Sequence, residues 1–277
     1  LEHFQDFDVS IDLEAQQVVS LGGDIKDLSV SAKLQQGSLD LVMRRPQESG
    51  QDAELAARIR PSGQGIEATV RAAWERQPYG WLTDLLSPGT SGGSWGIDLD
   101  LESRGSDLEE LARNLSGHLY LVDYPADLKA TIFDLWGGGL ITSILPIFQL
   151  GDESRVNCSV AKLQVEDGVL TPELLTIDST RTRVRGKGTI DLPGNKIRLK
   201  LKPRPKQRNL INLSTPVTIR GPLTDPDVRI STGGLAVTFF RLSLWAYTVW
   251  RDLVRQPLPA DGNDICVDPF AIKHKKK

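Results

Sequence analysis

Histidine and cysteine are scarce in this chain of 277 residues, at three and two copies, and that scarcity excludes much of enzyme chemistry. His3 and His274 stand near the termini. His118 lies in an alternating strand pattern with Ser116 two positions before it, where a structural or exposed imidazole explains it. No His or Cys pair has the spacing of a zinc site. No G-x-S-x-G elbow presents a nucleophile, and no phosphate-binding loop occurs. Asp98 and Asp100 alternate on the wet side of a strand, where solvation accounts for them. No catalytic residue, cofactor or metal is expected, so the chain reads as a non-enzyme. Aromatic residues are missing from 181–208, which removes the base-stacking platforms of a nucleic-acid groove. Long hydrophobic runs are missing too. No stretch reaches the roughly 18 uncharged apolar residues of a spanning helix, and the nearest, 235–250, contains Arg241. Cys158 and Cys266 are too few for a disulfide framework. Cys158 reads as a small buried hydrophobe, and a Cys158–Cys266 bridge stays open if the compartment is oxidising.

Charge is ordinary in amount and uneven in placement. The net charge of −3 combines an acid-rich first half (Asp6, Asp8, Asp12, Glu14, Asp24, Asp27) with a stretch, 181–208, whose charged residues are almost only Lys and Arg. Arg181, Arg183, Arg185 and Lys187 occupy every second position. Lys196, Arg198, Lys200 and Lys202 repeat the pattern, interleaved with Ile197, Leu199 and Leu201. Successive strand side chains point to opposite faces, so these residues predict a sheet that is basic on one side and greasy on the other. A charge split of this kind favours a membrane-surface or nucleic-acid contact over a small-molecule reaction.

Period-two alternation dominates elsewhere. It runs through Phe7–Leu13, Leu28–Leu34, Leu39–Met43, Leu55–Ile59 and Ile66–Trp74, with turns at Gln36-Gly37 and Pro61-Ser62-Gly63, and predicts an antiparallel meander with one wet face. Residues 76–94, rich in Pro and Gly, read as a loop with a short helical turn. Ser106 with Glu109 reads as a capping box opening a helix through Asn114. Residues 126–150 read as two apolar helices hinged at Gly137-Gly138-Gly139. Val156–Val160 and Ala161–Val165 alternate out of phase, which predicts a β-bulge near Val160. Asp167-Gly168 and Pro193-Gly194-Asn195 mark tight connections. An amphipathic helix is expected from about Leu235 to Arg255, followed by a tail ending in Lys275-Lys276-Lys277.

Five segments, taken in order, resemble the C-terminal region of the AsmA family of bacterial envelope proteins. They are Leu99-Asp100-Leu101 with Gly105-Ser106 and Leu115-Ser116-Gly117; Phe133-Asp134-Leu135-Trp136-Gly137-Gly138; Asn157-Cys158-Ser159-Val160-Ala161; Asp167-Gly168-Val169 with the run from Asp178 to Leu192; and Leu199–Lys206 with Pro216-Val217, Gly221 and Asp225-Pro226. The likeness covers roughly 95–231 and thins to a meander pattern over 1–75. It implies a periplasmic β-rich body tethered to the inner membrane by an N-terminal helix. Since the sequence starts at Leu1 with no such helix, a fragment is expected. It also implies a role in outer-membrane homeostasis, with larger relatives viewed as bridges that carry phospholipid along an apolar groove. It brings no catalytic residues.

The expected fold is mostly β: a long twisted antiparallel sheet curled into an open groove or incomplete barrel, with a few amphipathic helices. The expected organisation is a β-meander over 1–75, a linker over 76–94, a β domain over 95–231 with a helical insert at 126–150, and a C-terminal helix and tail over 232–277. Acyl chains are expected against Leu128, Ile132, Leu135, Trp136, Leu140, Ile144, Ile197, Leu199, Leu201, Phe239, Leu242 and Trp245. Lipid headgroups are expected at Arg181, Arg183, Arg185, Lys187 and Arg241. The partners expected are phospholipid or another envelope lipid and a membrane surface, without nucleic acid. The competing expectation is a structural or regulatory envelope module that docks a protein partner, or assists outer-membrane protein assembly, and carries no lipid.

Overall fold

The computed structural model describes residues 8–18, 25–46, 53–63, 65–78, 93–125, 155–206, 216–230 and 258–267. Thirteen strands of these residues form one antiparallel sheet whose spatial order is the sequence order. They are β1 (Val9–Val18), β2 (Ile25–Gln35), β3 (Ser38–Arg45), β4 (Ala53–Ser62), β5 (Gly65–Pro78), β6 (Gly93–Gly105) and β7 (Ser116–Pro125). The second half holds β8 (Val156–Glu166), β9 (Val169–Ser179), β10 (Thr182–Asp191), β11 (Lys196–Pro205), β12 (Val217–Gly221) and β13 (Asp227–Ile230). Each strand pairs with the one before and the one after it, so among the described residues β1 and β13 are the edges, and the sheet is not closed into a barrel. The expectation of a mostly-β chain built on one long antiparallel sheet that does not close stands.

Turn chemistry explains the sequential pairing. Gln36 and Gly37 join β2 to β3 with φ of 49° and 76°, and Asp167 and Gly168 join β8 to β9 with φ of 50° and 72°. Two consecutive positive φ values give the turn whose twist matches that of the strands it joins. Gly168 has a second reason to be glycine. A β-carbon there would lie 2.1 Å from the Ala112 carbonyl oxygen, where the turn packs under the helix α1 (Leu108–Arg113) and donates its N–H to the Leu115 carbonyl at 2.9 Å.

Several boundaries differ from the sequence reading. The cap of α1 is Asp107, one residue later than expected: its Oδ1 accepts the Glu110 N–H at 2.8 Å. Glu110 accepts in turn from the Ser106 N–H and hydroxyl, each at 2.8 Å, and these bonds hold its carboxyl below the ordinary range. Ser106 is thus the partner of the box and not its cap. The bulge expected near Val160 is absent from that position. Pairing of β8 with β9 shifts instead between Val156 and Cys158 and between Lys162 and Leu163. The second shift leaves Glu173 of β9 outside the ladder, next to Pro172, which has no N–H to contribute. The out-of-phase hydrophobic residues have another cause, since Cys158 through Leu163 are buried without interruption and both faces of β8 are covered there. Strands β5 and β6 pair from Ile66↔Gly105 to Pro78↔Ser94, so pairing extends into both ends of the expected 76–94 linker, and its residues 79–92 lie outside the described residues. The helices expected at 126–150 and 235–255 lie outside the described residues. Among the described residues no helix is long and apolar enough to cross a membrane.

Candidate functional site

Alternation within strands and register between them sort the side chains onto two faces. On one face a single cross-strand row reads Ile11, Ala32, Leu41, Ala57, Val70, Leu101, Gly117, Val165, Leu170, Ile190, Ile197, Gly221. It contains no polar side chain across twelve strands. The next row begins Leu13, Val30, Met43, Leu55, Ala72, Leu99, Leu119, Leu163. Coverage of this apolar face is uneven. At the C-terminal end Val184, Ile197, Leu199, Leu201, Val217 and Ile219 are packed into a buried cluster. At the other end Val9, Ile11 and Leu13 are 43%, 56% and 50% exposed.

The opposite face is polar, and its two halves are built differently. In the first half cations meet carboxylates across strands: Arg44–Glu54 at 2.8 Å, Arg58–Asp40 at 3.1 Å, Arg71–Asp100 at 3.0 Å and Arg104–Glu67 at 2.9 Å. These are exposed pairs of small individual worth. His118 belongs here, with Nε2 3.4 Å from Asp98 Oδ1 and its ring 4.7 Å from that of Tyr120. Tyr120 lies under the buried Lys162 ammonium, 5.0 Å from the ring centroid, and burial pushes its hydroxyl above the ordinary phenol value. In the second half the register sets like charges opposite each other, Arg185 against Lys202, Lys187 against Lys200 and Arg198 against Arg220.

The C-terminal segment straps one end of this polar face. Cys266, in the short helix α2 (Asn263–Cys266), is bonded to Cys158 of β8, with Cα atoms 5.7 Å apart and a sequence separation of 108. Ile265 and Cys266 pack on Val122, Cys158 and Val160, and the Tyr124 hydroxyl donates to the Cys266 carbonyl at 2.9 Å. Beside the disulfide lies a neutral four-charge cluster. Asp178 is fully buried; its Oδ1 accepts from Arg183 Nε at 2.6 Å, and its Oδ2 from Lys206 Nζ at 2.6 Å and Asn157 Nδ2 at 2.7 Å. Arg183 then grips Asp264 of the strap with both terminal nitrogens, at 2.7 and 2.6 Å. That two-pronged contact lowers the Asp264 pKa and raises that of Arg183. Lys206 and Asn157 also donate to the Ala260 carbonyl, at 3.1 and 2.8 Å. Gly262, at φ 69°, sits so close that a β-carbon would come within 2.3 Å of Asp178 Oδ2, so the strap can descend onto the carboxylate only with glycine there.

The expected site residues therefore separate. Arg185 and Lys187 are exposed on the polar face, and Arg181 is exposed just before β10. Arg183 leaves that group: at 1% exposure and held by two carboxylates, it is a structural cation under the strap and not a headgroup contact. Ile197, Leu199 and Leu201 are all on the apolar face but already packed among neighbouring side chains. Leu128, Ile132, Leu135, Trp136, Leu140, Ile144, Phe239, Arg241, Leu242 and Trp245 lie outside the described residues. Apolar and cationic side chains of β10 and β11 face opposite ways, so one lipid cannot lie against both. The Asp178–Arg183–Lys206–Asp264 cluster went unread in the sequence. Its one local signal is Asp178 facing Arg183 across the β9–β10 hairpin.

No family model matches the chain, and no solved structure matches it. It is 25% identical over 138 residues to AsmA family protein YhjG of Escherichia coli (strain K12), a stretch that takes in 50% of this chain and 20% of that protein. The residue patterns within 95–231 and this relative, of which the chain spans about a fifth, point the same way, to a likeness with the AsmA family.

Proposed function

We propose that this chain is a lipid-handling segment of a bacterial envelope protein, working in the periplasm on the way to the outer membrane and anchored in the inner membrane by a part of the protein outside this sequence. The reading is non-enzymatic: acyl chains lie along the apolar face of the open sheet and move along it between membranes. The observation that carries it is the apolar row from Ile11 to Gly221, continuous on one face of a sheet that is not closed on itself. Each methylene withdrawn from water onto such a surface contributes about 0.8 kcal/mol, so a few carbons already make a worthwhile contact. Binding is expected toward the first strands, where Ile11 and Leu13 are half-exposed, more than over the packed cluster around Leu199. The Cys158–Cys266 bond fits an oxidising compartment such as the periplasm.

Native mass spectrometry and lipid extraction of the purified chain test this. Phospholipid is expected to co-purify, and replacing Leu41, Ala57 and Val70 by Ser is expected to remove it. A protein free of lipid, with stability unchanged by delipidation, would instead support the docking module that carries none.

A further inference from the structure

We infer that the polar face of β10–β12 is a docking surface for an anionic bilayer. Arg185, Lys187, Arg198, Lys200, Lys202 and Arg220 are all exposed there, and none makes an ion pair or side-chain hydrogen bond among the described residues. Their register places like charges opposite one another, an arrangement that works against the sheet. The neighbouring carboxylates do not relieve it. Asp227, across from Arg220, is taken by Arg229 at 2.5 Å, and Asp191, across from Lys196, accepts the Gly194 N–H at 2.7 Å. The first half of the same face neutralises its cations strand by strand, so a charged sheet of this protein does not require unpaired rows. The unpaired rows are left for an external anion.

Their composition selects the anion. Alternate strand positions and adjacent strands spread the cations over a surface lattice with spacings of roughly 5 and 7 Å, suited to many separate phosphates and not to one. Protein interfaces deplete lysine and depend on buried aromatic or apolar anchors. This block offers Lys187, Lys196, Lys200 and Lys202, and its other members facing the same way include Thr189, Asp191, Thr218, Asp227 and Arg229. Without stacking aromatics it is also a poor single-strand nucleic-acid groove. Headgroup phosphates of a bilayer need neither anchors nor stacking. Docking is independent of the acyl-chain reading, because the cations lie on the face away from the apolar row.

Flotation or co-sedimentation of the full 277-residue chain with vesicles tests the inference. Binding is expected to mixed phosphatidylglycerol–phosphatidylcholine vesicles, to be absent on pure phosphatidylcholine, and to weaken as salt shortens the screening length. Each cation near such a surface is worth about a fivefold change in affinity. Arg185→Gln, Lys187→Gln, Lys200→Gln and Lys202→Gln together are therefore expected to weaken binding by roughly 100-fold or more. Because they remove opposed like charges, the variant is expected to melt no lower than the parent. Arg44→Gln with Arg58→Gln, on the paired half, is expected to leave vesicle binding unchanged. Vesicle binding that survives the fourfold variant, equal binding to neutral vesicles, or tighter binding to polyglutamate than to the anionic vesicles would each overturn the inference, the last in favour of an acidic protein partner.

Discussion

Replacing Arg183 by Met tests whether the strap is held by its charges. Arg183 is 1% exposed and donates three charge-assisted hydrogen bonds, one to Asp178 and two to Asp264. Removing one partner of a buried ion pair costs about 3–5 kcal/mol, because the other charge stays buried without compensation. Two features of the cluster place the cost at the low end. Asp178 keeps Lys206 at 2.6 Å and Asn157 at 2.7 Å, and Asp264 is 41% exposed and can turn to water. Arg183→Met is therefore expected to cost about 3 kcal/mol. Arg185→Met, one alternation along the same strand face but exposed, is expected to stay within about 0.5 kcal/mol. Urea unfolding followed by tryptophan fluorescence, on oxidised protein so that the strap stays attached, measures both. In a double-mutant cycle Arg183 should couple more strongly to Asp178 than to Asp264, since only Asp178 is wholly removed from water. Equal costs for Arg183→Met and Arg185→Met would refute the reasoning, for they would mean that the strap does not exclude water from Asp178.

Two further outcomes follow from the same end of the sheet. Replacing Cys158 and Cys266 by Ser opens a loop with a sequence separation of 108, for which chain entropy gives about 4.7 kcal/mol at a loop length of about 100 residues; a loss below about 1 kcal/mol in urea unfolding would show that the strap is not tied. Arg183 lowers the Asp264 pKa from its ordinary 3.8, so as pH falls the unfolded chain takes up this proton first. The contact thus contributes fully above the ordinary value and is lost as pH drops through the depressed folded one. The stability difference between the parent and Asp264→Asn should be flat above about pH 5 and shrink below about pH 4; a difference that grows on acidification would contradict the assignment.

Much of the sheet was legible because strand information is local. Leu39, Leu41 and Met43 declare their shared face by spacing alone, and Gln36-Gly37 and Asp167-Gly168 declare the turns that set sequential pairing. The shifts around Pro172 and Glu173 were not legible, since a bulge is a property of two strands in register and neither strand states it.

The amino-acid sequence by itself determined a two-faced antiparallel sheet and its apolar and cationic sides, because a period of two and a turn residue act over a few positions. Only the tertiary structure decided what each face meets. Arg183 and Arg185 are equivalent in the pattern, yet one is sealed under the strap by Asp264, 81 residues away, and the other is open to solvent. Burial, ion pairing and the Cys158–Cys266 bond depend on which distant segment returns to cover a face, and alternation within a strand carries no record of that return.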